Sequence, residues 1–226
     1  FDEIYRPCLR RRRADVPSRL DARDTDLESA AWFFDRCWDM VTRNLNPDST
    51  ALLLDDTGFA LRARGRLEEA RQAWDESLRA FDEVNNRREA ARAANNVAQV
   101  LLALGKIPDA LEKAEDAVER AGNLEDPRER WNQLMKRLAT KGEILHQAGR
   151  LAEAHECFKK AEELLRQNRH DDRSLKEKDA TWLYSWFGFR YWELLLSSAL
   201  RELWKGLNGA GVVLSQELLY ESGRKE

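Results

Sequence analysis

Three twenty-residue segments stack without a gap: "GFALRARGRLEEARQAWDES" from Gly58, "AQVLLALGKIPDALEKAEDA" from Ala98 and "GEILHQAGRLAEAHECFKKA" from Gly142. A chain that repeats itself on this scale has to repeat one supersecondary unit, because each copy can bury its apolar face only against its neighbours. Seven residues after each small starting residue stands a glycine (Gly65, Gly105, Gly149), and five later an alanine (Ala70, Ala110, Ala154). Trp74, Ala114 and Phe158 form the next column, and Ser77, Ala117 and Ala161 the one after. The first small residue lets two antiparallel helices approach closely, and the glycine supplies the permissive backbone that ends the first of them. Leu67, Ile107 and Leu151 then open a second helix, whose buried stripe continues down the columns at helical spacing. Pro108 and Pro127 fall just inside helix starts, where proline is tolerated.

This pattern resembles the tetratricopeptide repeat, a helix–turn–helix unit with the signature W-x2-L-G-x2-Y followed by A-x3-F. Tyr184-x2-Phe187-Gly188-x2-Tyr191 matches the first half of that signature better than the three earlier units, and reads as the first helix of a fourth. The small residues at 58, 98, 142 and 188 are 40, 44 and 46 apart, longer than the usual ~34. Long repeats with a late aromatic helix, "LYSWFGFRYWELLL", look like the tetratricopeptide regions joined to nucleotide-driven signalling NTPases of the STAND class, NACHT types included, and to similar bacterial conflict proteins. The resemblance runs from about Phe1 to about Leu203 and implies an all-α fold. The expected form is a right-handed helical-hairpin solenoid of about four units, preceded by one extra helix.

Thr25-x2-Glu28 reads as a capping box that opens this extra helix, through about Leu45, with Trp32, Phe33, Cys37, Trp38 and Val41 as apolar contacts. "NPDS" breaks it. Helix pairs come next at about 49–83, 88–121 and 127–168, then a connection at "RQNRHDDRS" and the aromatic helix at about 176–199. The fourth partner helix is degenerate: "LSSALRELWKGL" lacks the Gly and Ala register, and "NGAGVV" interrupts the chain beyond it. The domains expected are an arginine-rich lead-in at 1–24, the solenoid at 25–207, and a cap or disordered tail at 208–226.

Composition bounds function by exclusion. A formal charge of −3 and a pI near 5.8 argue against a general affinity for nucleic acid, for which Arg10 to Arg13 is the one basic run. Cys8, Cys37 and Cys157 fit neither a disulfide framework nor a zinc knuckle and suit a reducing, cytoplasmic setting. The start has no apolar signal-peptide core, and it begins on Phe, as a piece of a longer chain does. Residues 182–200 approach spanning length, but Arg190 and Glu193 fall mid-span, so no membrane partner is expected. There is no Walker loop, HExxH, GxSxG or Cys-x2-Cys, so no enzyme, cofactor or metal site is expected.

The expected function is protein–protein recognition in a groove lined by the first helices, whose inner side chains the core does not need. By phase these are Leu52, Asp55, Asp56 and Phe59, then Arg92, Asn95, Asn96 and Gln99, then Lys136, Thr140, Glu143 and His146, then Trp182, Trp186, Phe189 and Trp192. For His146 a plain surface histidine is the competing reading. Among the aromatics Trp192 is expected to be the most covered, and Trp186 and Phe189 the better partner contacts. Sensing of nucleic acid or a nucleotide through Arg10 to Arg13 and the aromatic stripe is a second reading, and self-assembly through a solenoid end a third.

Overall fold

The computed structural model describes residues 27–28, 30–36, 38, 40–41, 45–168, 183 and 185–209. After a helical turn at 27–31 come two short strands, β1 (Phe34–Arg36) and β2 (Met40–Val41), paired antiparallel with Phe34 opposite Val41. The rest is helical: α1 (Pro47–Ala63), α2 (Leu67–Glu83), α3 (Arg87–Ala103), α4 (Ile107–Gly122), α5 (Pro127–Gln147), α6 (Leu151–Asn168) and α7 (Ser185–Gly209). Helices α1 to α6 pack as three successive hairpins, an all-α helical-hairpin solenoid.

Two kinds of helix start alternate along it. First helices are capped by side chains: Asn46 accepts from the Ser49 N–H at 2.8 Å, Asn86 from Glu89 at 3.3 Å, and Asp126 from Arg128 at 2.9 Å. The second helices α2 and α4 have no such cap, and come directly after a glycine turn. Gly65, Gly105 and Gly149 sit at φ 74°, 74° and 77°, left-handed backbone that a side chain would strain. Each turn closes in the same way. Gly65 N–H donates to Arg62 O and Arg66 N–H to Leu61 O, and the same pair of bonds recurs at Gly105 and Gly149.

Within the hairpins, bulk is exchanged between facing columns. A Cβ added to Gly58 would lie 2.6 Å from Trp74 Nε1, and one on Gly142 would lie 2.9 Å from the Phe158 ring. In the middle unit the facing residues are Ala98 and Ala114, both buried in the same cluster. An aromatic ring therefore fills the space that glycine leaves, and two alanines fill it where there is neither. Ser77 hydroxyl donates to the Ala51 carbonyl at 3.0 Å, which makes its buried oxygen cheap to hold.

Three expectations need correcting. The extra helix to Leu45 is replaced by a helical turn and the β1–β2 hairpin, because Trp38 docks elsewhere. Its ring meets Phe34 edge-on at 5.4 Å, lies under the Arg66 guanidinium, and donates from Nε1 to Glu69 at 3.0 Å. Phe33 and Val41 do pack on the core, but Trp32 is 86% exposed; Thr25 and Cys37 lie outside the described residues. Next, α7 does not end near 199 to begin a degenerate partner, but runs unbroken to Gly209. The position seven after Gly188 is Leu195, not glycine, so nothing there turns the chain. Finally, Trp192 is 62% exposed rather than the most covered of the aromatics.

The face built from Phe187, Gly188 and Tyr191 does pack inward. Tyr191 is buried, stacks on Phe158 at 5.0 Å, and places its hydroxyl 3.2 Å from His155 Nδ1. Gly188 serves a different purpose from Gly58 and Gly142, since a Cβ there would overlap the carbonyl of Leu183 rather than a facing ring. Helix α7 joins the apolar cluster of α5 and α6 through Phe187, Tyr191 and Leu194.

Candidate binding face of the first helices

Successive first helices α1, α3, α5 and α7 are tied together by polar pairs. Arg62 donates to Gln99 Oε1 at 2.8 Å, and Arg92 meets Asp55 at 2.9 Å, both between α1 and α3. The amide of Asn96 donates to the same carboxylate at 3.3 Å. Arg137 on α5 reaches back to the Ala91 carbonyl on α3, and Arg190 on α7 meets Glu143 on α5 at 3.0 Å. The pairs lie on the face that helical phase assigns to a groove, and they join the repeats across it.

Burial grades this row. Asp55 is fully buried and Asn95 and Asn96 nearly so, which corrects their reading as open groove residues: Asp55 and Asn96 spend polar atoms on the seam between repeats, and Asn95 Oδ1 is buried without a hydrogen-bond partner. Thr140 is likewise buried, its hydroxyl spent on the Lys136 carbonyl one turn back. Phe59 is half-buried with its ring edge-on to Trp74 at 5.1 Å, so it serves the first hairpin's core as well as its surface. Arg92, Gln99, Lys136, Glu143 and His146 are half-buried and form the rim. Phe189 is 72% exposed, on the side of α7 turned away from Phe187, Tyr191 and Leu194. Trp182 lies outside the described residues, as do the Trp186 side chain and Arg10 to Arg13.

The electrostatics are set by the same geometry. Burial pulls the Arg92 guanidinium down, but the carboxylates of Asp55 and Glu89 more than offset it and hold the group above its ordinary range. Arg137, more deeply enclosed, is pushed down to about 10 by burial, with the positive charge of Arg92 adding to the effect. It is still protonated at neutral pH, held by the Ala91 carbonyl and by Gln133 Oε1 at 2.6 Å. Partial burial lowers His146; Glu193 opposes the shift, and Arg201 and Arg190 add to it.

Sequence reasoning missed Arg62, Arg137 and Arg190 as members of this row. Arg62 was within reach, since it lies seven residues after Asp55 and three after Phe59 on one helical face. Arg137 and Arg190 were not, because their partners stand on another helix 46 and 47 residues away. Among the described residues no group of three His, Cys, Asp or Glu side chains is placed to hold a metal ion, and no helix is long and apolar enough to cross a membrane.

A family model of the tetratricopeptide repeat matches residues 27–123, which supports that family for the chain and takes in the first two hairpins. Repeats of this family generally mediate protein–protein interaction and are typically non-catalytic. No curated protein matches the chain.

Proposed function

We propose that the first-helix face binds a segment of a partner protein, and that the chain is a recognition module without catalytic chemistry of its own. The observation that supports this is the rim itself. Arg92, Gln99, Lys136, Glu143 and His146 stay partly exposed along the row, and Arg92, Gln99 and Glu143 among them are also held by the neighbouring repeat. A partner segment laid along the row meets donors and acceptors already fixed in place, which lowers the ordering cost of binding. Below it, Asp55 is buried and held by Arg92 and Asn96.

The setting proposed is cytoplasmic, as the sensor or scaffold part of a larger bacterial signalling or defence protein, a reading supported by the long unit spacings of 40, 44 and 46 residues. Panning a random-peptide display library against the 226-residue chain tests the site. Enriched peptides are expected to lose at least about tenfold in affinity, ~1.4 kcal/mol, on Lys136→Glu and to be indifferent to Glu112→Lys on the exposed side of α4. Peptides indifferent to Lys136→Glu, or lost on Glu112→Lys, would move the site elsewhere.

A further inference from the structure

Helix α7 carries an apolar face that no other described element covers. Phe189, Trp192, Leu196, Leu200 and Leu203 are between 50% and 72% exposed, and succeed one another at spacings of three, four, four and three residues. At 3.6 residues per turn these spacings keep all five on a single stripe, opposite the Phe187–Tyr191–Leu194 face that meets α5 and α6. Leu195 and Trp204, 46% and 63% exposed, flank it.

The spacing reads the same in both directions about Leu196. Laid antiparallel against a second copy, the stripe therefore sets Phe189 against Leu203, Trp192 against Leu200, and Leu196 against itself, each contact occurring twice as a two-fold axis requires. Each aromatic ring can bury ~150–250 Å², and three of them with four leucines bring the face to the order of the ~800 Å² per partner that a standard interface takes. An apolar patch of that size is more than a monomer ordinarily leaves in water.

We infer that the chain forms a two-fold homodimer through antiparallel pairing of α7 with α7 of a second copy, centred on Leu196. The solenoid bodies then lie on opposite sides of the helix pair, since the paired stripe faces away from α5 and α6; Phe189 and Trp192 are taken into the dimer, and the rims on α3 and α5 stay open.

Sedimentation velocity on the 226-residue chain across a concentration series reads this directly. The wild type is expected to move from monomer to dimer as concentration rises. Leu196→Glu, which sets two carboxylates against each other at the axis, is expected to weaken the dimer by at least about 100-fold. Helicity by circular dichroism should be unchanged, since Leu196 touches no core cluster. Register is read separately, in a background with Cys8, Cys37 and Cys157 changed to Ala. There, mild oxidation is expected to link Leu196→Cys to itself, and Phe189→Cys to Leu203→Cys when the two variants are mixed, but to leave Leu203→Cys alone unlinked. A monomer at every concentration overturns the proposal, as does a dimer indifferent to Leu196→Glu or a Leu203→Cys chain that links to itself.

Discussion

The three hairpins of α1–α6 and the helix α7 start from the same signature, and they end differently because of one position. In the hairpins, the residue seven after the small starting residue is glycine at positive φ, and the chain folds back to cover its own apolar stripe. In α7 that residue is Leu195, the helix continues, and its apolar stripe is left facing outward. A repeat unit thus needs both an apolar face and a device that turns the chain onto it. With the face and without the turn, the sequence leaves apolar side chains in water.

The widest gap between the two regions should appear when one substitution is made in each. Phe158→Ala empties a ring from between Gly142 and Tyr191 in a fully buried site, and is expected to cost ~3–5 kcal/mol in urea unfolding. Phe189→Ala on exposed α7, at concentrations low enough to hold the chain monomeric, should change the unfolding free energy by no more than ~0.5 kcal/mol. Equal effects would mean that α7 is as much a part of the core as α6.

A smaller effect is expected from adding bulk where the hairpins have none. Gly142→Leu drives a side chain into the Phe158 ring and should destabilise by ~1–3 kcal/mol. Phe158→Ala in the same chain should recover part of that loss, because the double variant approaches the small-against-small arrangement of Ala98 and Ala114. Strict additivity would show that the two columns do not face each other in solution.

The smallest effect is a titration at the junction of the two regions. His146 on α5 has its folded-state pKa lowered by burial, with Arg201 and Arg190 of α7 contributing and Glu193 opposing. The neutral ring is therefore favoured by folding. Its contribution is fully present above the unfolded value of ~6.5, and is lost as pH falls through that value toward the lower folded one. Histidine proton shifts tracked by NMR should place His146 below ~6.5, and Arg201→Gln should move it upward. A midpoint unmoved by Arg201→Gln would mean that the far half of α7 does not sit near α5.

Much of the hairpin architecture was legible because its signals are local. The glycines at 65, 105 and 149, the prolines at 108 and 127 and the small-residue columns each act within a turn or two of themselves, and the structure puts them where their spacing does. The Trp38 region was misread since its periodicity suits a helix, while its position is set by Glu69 and Arg66, residues about thirty positions away. The row of pairs on the first helices was legible in part. Phase placed Asp55, Arg92 and Asn96 on one face, but could not say that they spend their polar atoms on each other.

By itself the sequence determined the repeating unit, where each hairpin turns, and the absence of that turn after Gly188, since backbone preference and helical spacing are properties of neighbours along the chain. Tertiary structure alone decided which of the polar residues on the first helices are sealed between repeats and which remain at the rim. It also decided that Trp192 faces outward while Tyr191 faces in. Burial is a property of what lies across from a side chain, and for Asp55, Glu143 and Tyr191 that neighbour belongs to a different helix, 36 to 47 residues along the chain.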